Sequence, residues 1–124
     1  MPDDLPAELK QFINQHIESL AQLEVLLYLR QHADRHLHSN EIANRLALTA
    51  EMSRVILVDL ARRGFATHVE GRFHYQTSEN FGRLIELLEN AYRERRVTVT
   101  SQIYSKPLEN MKSFSDAFRF RKEE

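Results

Sequence analysis

Cysteine is absent from the 124 residues, and glycine and proline occur only three times each. Without thiols there is no disulfide, no thiolate zinc site and no cysteine nucleophile, so a reducing compartment is expected. Long apolar runs are missing too. The run at residues 25–27 is closed by Glu24 on one side and by Tyr28 and Arg30 on the other, far short of the roughly 20 residues a membrane-spanning helix needs. No apolar signal-peptide core opens the chain, and a cytoplasmic protein with no membrane partner is expected. Catalytic signatures are lacking: there is no P-loop, Gly-rich dinucleotide turn, H-E-x-x-H or G-x-S-x-G. The paired acids Asp3 with Asp4 and Glu123 with Glu124 lie at the chain ends, where nothing holds them in fixed geometry. Neither an enzyme nor a cofactor is expected. An excess of one charge sign is also missing, since 17 Lys and Arg face 18 Asp and Glu, which excludes the broad positive field of a general nucleic-acid binder.

What remains is 42% apolar and 28% charged, the balance of one globular domain over residues 1–124. Charge is unevenly spread. Residues 18–77 balance seven bases against seven acids, whereas 91–124 carry eight bases and five acids. Scarce glycine and proline, together with apolar residues three and four apart, predict a mainly α chain with a minor β part. Leu5, Leu9, Phe12, Ile13 and Ile17 give a first helix starting near Pro6. Residues 18–33 follow as a helix whose apolar stripe covers most of its circumference, which makes it central and buried.

Residues 33–38 are polar and rich in histidine and read as a loop; Ser39 then caps a short helix carrying Ile42, Ala43 and Leu46. Thr49 caps a longer helix to Arg63 with Ser53, Ile56, Leu57 and Leu60 inward, and Gly64 supplies a left-handed stop. Alternation at Phe65, Thr67 and Val69, a turn at Glu70-Gly71, and renewed alternation at Phe73 and Tyr75 predict a two-stranded hairpin. Thr77 or Ser78 opens a long helix through Phe81, Leu84, Ile85, Leu88, Tyr92, Val99 and Ile103, with the β-branched 97–100 its weakest helix-forming stretch. Pro107 ends it and starts a last helix with Leu108, Met111, Phe114 and Phe118 in line.

The run Glu41-Ile-Ala-Asn-Arg-Leu-Ala-Leu-Thr49, then Leu57-x-x-Leu60-Ala-Arg-Arg-Gly64-Phe65 and the strand at 73–75, resembles the reader head of MarR-like and ArsR-like bacterial transcription regulators. The resemblance covers residues 18–77. It implies a winged helix-turn-helix with a two-stranded wing, flanked by an N-terminal helix (1–17) and long C-terminal helices (78–124). It also implies a homodimeric, sequence-specific DNA-binding regulator whose residues 50–63 lie in the major groove. The outward positions of that helix are Glu51, Arg54, Val55, Val58, Asp59 and Arg62, with Asn40, Arg45 and Arg72 placed to reach phosphates. Arg54 is the clear base-reading candidate. The alternative is a winged-helix adaptor that binds a protein partner, rather than DNA, through Val55 and Val58 or through the 107–122 helix.

A seven-residue stripe on the long helix needs covering by the N-terminal helix, by a second subunit, or by both. A dimer interface of Phe12, Ile13, Ile85, Leu88, Tyr92, Val99 and Ile103 is the expectation. His32, His36 and His38, with Asp34 beside them, have a spacing that could share a metal, against the plainer reading of solvated loop histidines. No metal site is assigned. The mixture of Phe114, Phe118 and Phe120 with Lys112, Arg119, Arg121 and Lys122 suits a docked helix better than a membrane surface.

Overall fold

A computed structural model describes residues 5–105. Six helices and three short strands follow one another: α1 (Ala7–His16), α2 (Leu20–Gln31), β1 (Leu37–His38), α3 (Ser39–Leu46), α4 (Ala50–Arg62), β2 (Ala66–Val69), β3 (Arg72–Tyr75), α5 (Glu79–Glu94) and α6 (Arg96–Tyr104). The expected last helix, with Leu108, Met111, Phe114 and Phe118, lies outside the described residues.

Helix α2 is the hub. Ser19 caps it, its Oγ accepting from the Gln22 N–H at 3.0 Å, and Leu23, Val25, Leu26, Leu27 and Leu29 are all buried, as a stripe that runs nearly all round requires. Helices α3 and α4 meet tightly because Ala43 is small and buried and Leu57 fills the space between them. The joint closes with Ala47 in the left-handed region (φ 58°) and the Leu48 N–H on the Ala43 carbonyl at 2.9 Å. Thr49 Oγ1 accepts from the Met52 N–H at 3.0 Å and starts α4. Its far end stops as the Gly64 position demanded. Gly64 has φ 93°, its N–H reaches the Ala61 carbonyl, and the Phe65 N–H reaches that of Leu60, the two bonds of a Schellman stop.

The hairpin forms in the expected register, with Thr67 opposite His74 and His68 opposite Phe73. Glu70 and Gly71 both take positive φ, which matches the turn to the strands' twist. A third strand was not legible in the sequence. Residues Leu37 and His38, within the stretch read as a loop, pair with Phe73 and Arg72, giving the sheet order β1-β3-β2. Two residues carry no periodicity; they pair because β3 offers a free edge. With this strand in place, His38 rather than Ser39 caps α3, its Nδ1 accepting from the Asn40 N–H at 3.1 Å.

The long C-terminal helix is broken. Arg95 (φ −139°, ψ 61°) separates α5 from α6, and the bend folds α6 back beside α1. Gln102 there donates to Asn14 at 3.0 Å, and the Leu20 N–H donates to Tyr104 Oη at 2.9 Å. Phe12, Ile13, Ile85, Leu88, Tyr92, Val99 and Ile103 are each 7% exposed or less, packed within one chain, so the apolar surface that called for a second subunit is covered by the chain's own α1 and α6. Among the described residues, no helix is long and apolar enough to cross a membrane.

Candidate nucleic-acid interface

Helix α4 turns Ser53, Leu57 and Leu60 inward and leaves Glu51, Met52, Arg54, Val55, Val58 and Arg62 exposed. Ser53 is fully buried and donates to the Ser39 carbonyl at 2.8 Å. That bond fixes the rotation of α4 on α3 and therefore which side chains point out.

A cleft of about 350 Å³ lies between the start of α3, the outer face of α4 and the wing, lined among others by His38, Asn40, Glu51, Arg54, Val58 and His68. On its other side α4 borders a second cleft, with Val55 and Arg62 on its wall. Arg54 borders both clefts, is exposed, and its side chain has no hydrogen bond or ion pair among the described residues. A cation in that position is available to an incoming anion at no cost in lost protein contacts. The fold thus joins Asn40, Glu51, Arg54, Val55, Val58 and Arg62 on one face. His38 and His68 join them unforeseen, because β1 and the His68–Phe73 stack (4.1 Å between ring centroids) bring them to the cleft. Met52, 47% exposed, is a further outward side chain, three residues before Val55 and so beside it on the helix.

Two expected contacts lie elsewhere. Arg45, at the end of α3, lines a different cleft with Leu27, Tyr28, Tyr92 and Arg96. Arg72 is exposed on the wing but directs Nη1 toward the His36 carbonyl at 3.4 Å, on the β1 side. Asp59 lies on the wall of the second cleft with Val55 and Arg62 but is half-buried and already paired. Its carboxylate accepts from Arg62 Nη2 at 2.5 Å, Arg63 Nε at 2.7 Å and Gln22 Nε2 at 3.3 Å. Partial burial would raise this carboxyl, but the Arg63 and Arg62 guanidiniums outweigh it and hold it below the usual carboxylate range. This acid at an outward helical spacing is a structural anchor.

The histidines disperse. His32 bonds through Nδ1 with the Tyr28 carbonyl at 3.0 Å and stacks on the Tyr28 ring, His36 stacks on His74 with centroids 4.5 Å apart, and His38 caps α3. Among the described residues no group of three His, Cys, Asp or Glu side chains is arranged to hold a metal.

No family model matches this chain, and no curated protein does. Solved structures do match. A point mutant of Staphylococcus aureus MepR bound to an oligodeoxyribonucleotide shares 23% identity, covering 94% of this chain and 89% of that one, at a TM-score of 0.51. MepR itself, described as a transcription regulator of the S. aureus multidrug efflux pump MepA, gives 23% identity, 94% and 90% coverage, and a TM-score of 0.50. A second MepR point mutant gives 21% identity, 94% and 87% coverage, and 0.53. This chain is therefore built on the winged-helix fold of those proteins.

Proposed function

We propose that this chain is a MarR-like transcription regulator that binds duplex DNA as a homodimer, laying the outer face of α4 in the major groove. The observation that carries the reading is Arg54: an exposed guanidinium without a partner among the described residues, at the centre of the face shared by α4, the start of α3 and the wing. Its fork geometry suits the O6 and N7 acceptors of guanine. Val55 and Val58, 52% and 41% exposed, suit thymine methyl groups, the apolar feature of that groove. Asn40 and Arg62 flank them as phosphate contacts, and Arg72 contributes from the wing once it leaves the His36 carbonyl. The solved MepR complex with an oligodeoxyribonucleotide supports the assignment from the side of the fold.

Homodimerisation doubles these few cations, which a head of balanced charge needs to hold a polyanion. Two α4 helices then address half-sites about 34 Å apart. Because the seven side chains first assigned to an interface are buried within one chain, the dimer requires another surface. The outer side of α6, where Val97 and Tyr104 are 78% and 61% exposed, is an apolar surface offered by the described residues that follow the wing.

Selection from a random duplex pool at low salt tests the proposal. Wild-type protein is expected to enrich a site with two related half-sites, and Arg54→Ala to relax preference at one position of each half-site at a cost of about 1–3 kcal/mol. No enrichment by the wild type, combined with protein capture that Val55→Asp and Val58→Asp abolish, would replace the regulator by the adaptor.

A further inference from the structure

The last turn of α4 is held from outside the helix-turn-helix. Arg63 follows that turn, and its guanidinium, about one-fifth exposed, spends its donors on two parts of the chain. Nε binds Asp59 of its own helix at 2.7 Å, Nη2 binds Glu18 at 2.6 Å, and Nη1 approaches the His16 carbonyl at 3.4 Å. Asp59 completes the circuit through Gln22 of α2, whose side-chain oxygen accepts from the Glu18 N–H at 2.5 Å. Gln22 is buried. The junction of α1 and α2 and the end of α4 thus share one closed network of charged and polar groups. His16, whose carbonyl belongs to that network, places its ring against Phe12, Phe65 and Phe81, with centroids 5.1–5.5 Å apart. Phe65 leads into the wing and Phe81 lies on α5.

We infer that Asp59 and Arg63 are positioning residues: they clamp the reading helix to the α1–α2 junction and set the angle at which Arg54, Val55 and Val58 are presented. Movement of α1 is thereby transmitted to α4 through a short chain of bonds. A planar guanidinium bonded on three sides defines an orientation, which a single flexible ion pair does not. The consequence for DNA rests on the proposed function; the clamp itself does not.

Two opposite signs separate this role from a simple electrostatic one. An acid merely facing the phosphates repels them, so Asp59→Asn would tighten binding. A clamp predicts the reverse: Asp59→Asn and Arg63→Gln each weaken binding to the enriched duplex by about tenfold, and the double variant is little worse than either. The slope of log K against log salt stays at its wild-type value for Arg63→Gln, whereas loss of a phosphate contact lowers its magnitude by about 0.9. Glu18→Gln gives a variant on an exposed side chain that leaves the pair within α4 intact, and is expected to weaken binding in the same sense. Tighter or unchanged binding in Glu18→Gln and Asp59→Asn, or a reduced salt slope in Arg63→Gln, overturns the inference.

The same variants can be examined without DNA. The chain has no cysteine, so spin labels at Gln11→Cys and Val55→Cys report one distance across the clamp. That distance distribution is expected to broaden in Asp59→Asn and Arg63→Gln; an unchanged distribution overturns the clamp even if DNA binding fails altogether. Failure of the wild type to bind DNA, with the broadening present, refutes the regulator and leaves the clamp standing.

Discussion

Replacing Ser53 tests the joint that gives α4 its rotation. Its hydroxyl is fully buried and donates to the Ser39 carbonyl at 2.8 Å. Ser53→Ala removes a bond with a net worth of about 1 kcal/mol, and alanine's better helix propensity returns about 0.5 kcal/mol. The expected cost is about 0.5 kcal/mol, a fall in Tm of about 2–3 °C for a chain of this size. Ser53→Val loses the same bond and pushes an extra methyl group between two helices in contact, adding about 1–3 kcal/mol of overpacking. Thermal and urea unfolding followed by circular dichroism would rank wild type above alanine and alanine well above valine. If valine is tolerated as well as alanine, the helices are not closely packed at Ser53. If alanine is neutral or stabilising, the Ser53–Ser39 bond does not secure the joint.

Ala47 and Glu70 hold φ values of 58° and 53° without being glycine. Ala47→Gly and Glu70→Asn are expected to stabilise by about 0.5 kcal/mol each, and urea midpoints that fall instead would contradict the left-handed turns. Burial, and then Arg63, lowers the His16 imidazole from its ordinary 6.5, so the folded state disfavours its proton. This contribution to stability is complete above pH 6.5 and lost as pH falls below it, down to the lowered folded value; His16→Phe, which keeps the ring cluster, is expected to flatten melting temperature against pH between 7 and 5. Sedimentation equilibrium is expected to give twice the 14.6 kDa chain mass, falling to one chain in Val97→Glu. A wild-type monomer would remove the dimer, and an unaffected dimer in Val97→Glu would move the interface off α6.

The helix-turn-helix and wing were legible because their signals are local. Thr49 caps, Gly64 stops, the Glu70-Gly71 turn and the alternation around it each act within a few residues, and each appears as expected. What escaped depends on partners far away in the chain. Strand β1 exists only because β3 leaves an edge open. The break at Arg95 carries no proline or glycine; it delivers Val99 and Ile103 to the core beside α1. The stripe on α5 did reveal that something must cover it, but periodicity cannot distinguish a neighbouring helix of the same chain from a second chain. On the candidate interface, helical spacing found Arg54, Val55 and Val58. Asp59 sits at an outward spacing as well, and only its bonds to Gln22, Arg62 and Arg63 show that it serves the scaffold.

The central claim is that the outer face of α4 meets DNA, and Val55 and Val58 carry the probes to test it. Methyl NMR spectra should be followed as the enriched duplex is added. The expected result is perturbation concentrated at Val55 and Val58, with weaker changes at Val69 on the wing and none at the buried Val25. Perturbation confined to Val97 and its neighbours on α6, with the α4 valines unmoved at saturation, would contradict it.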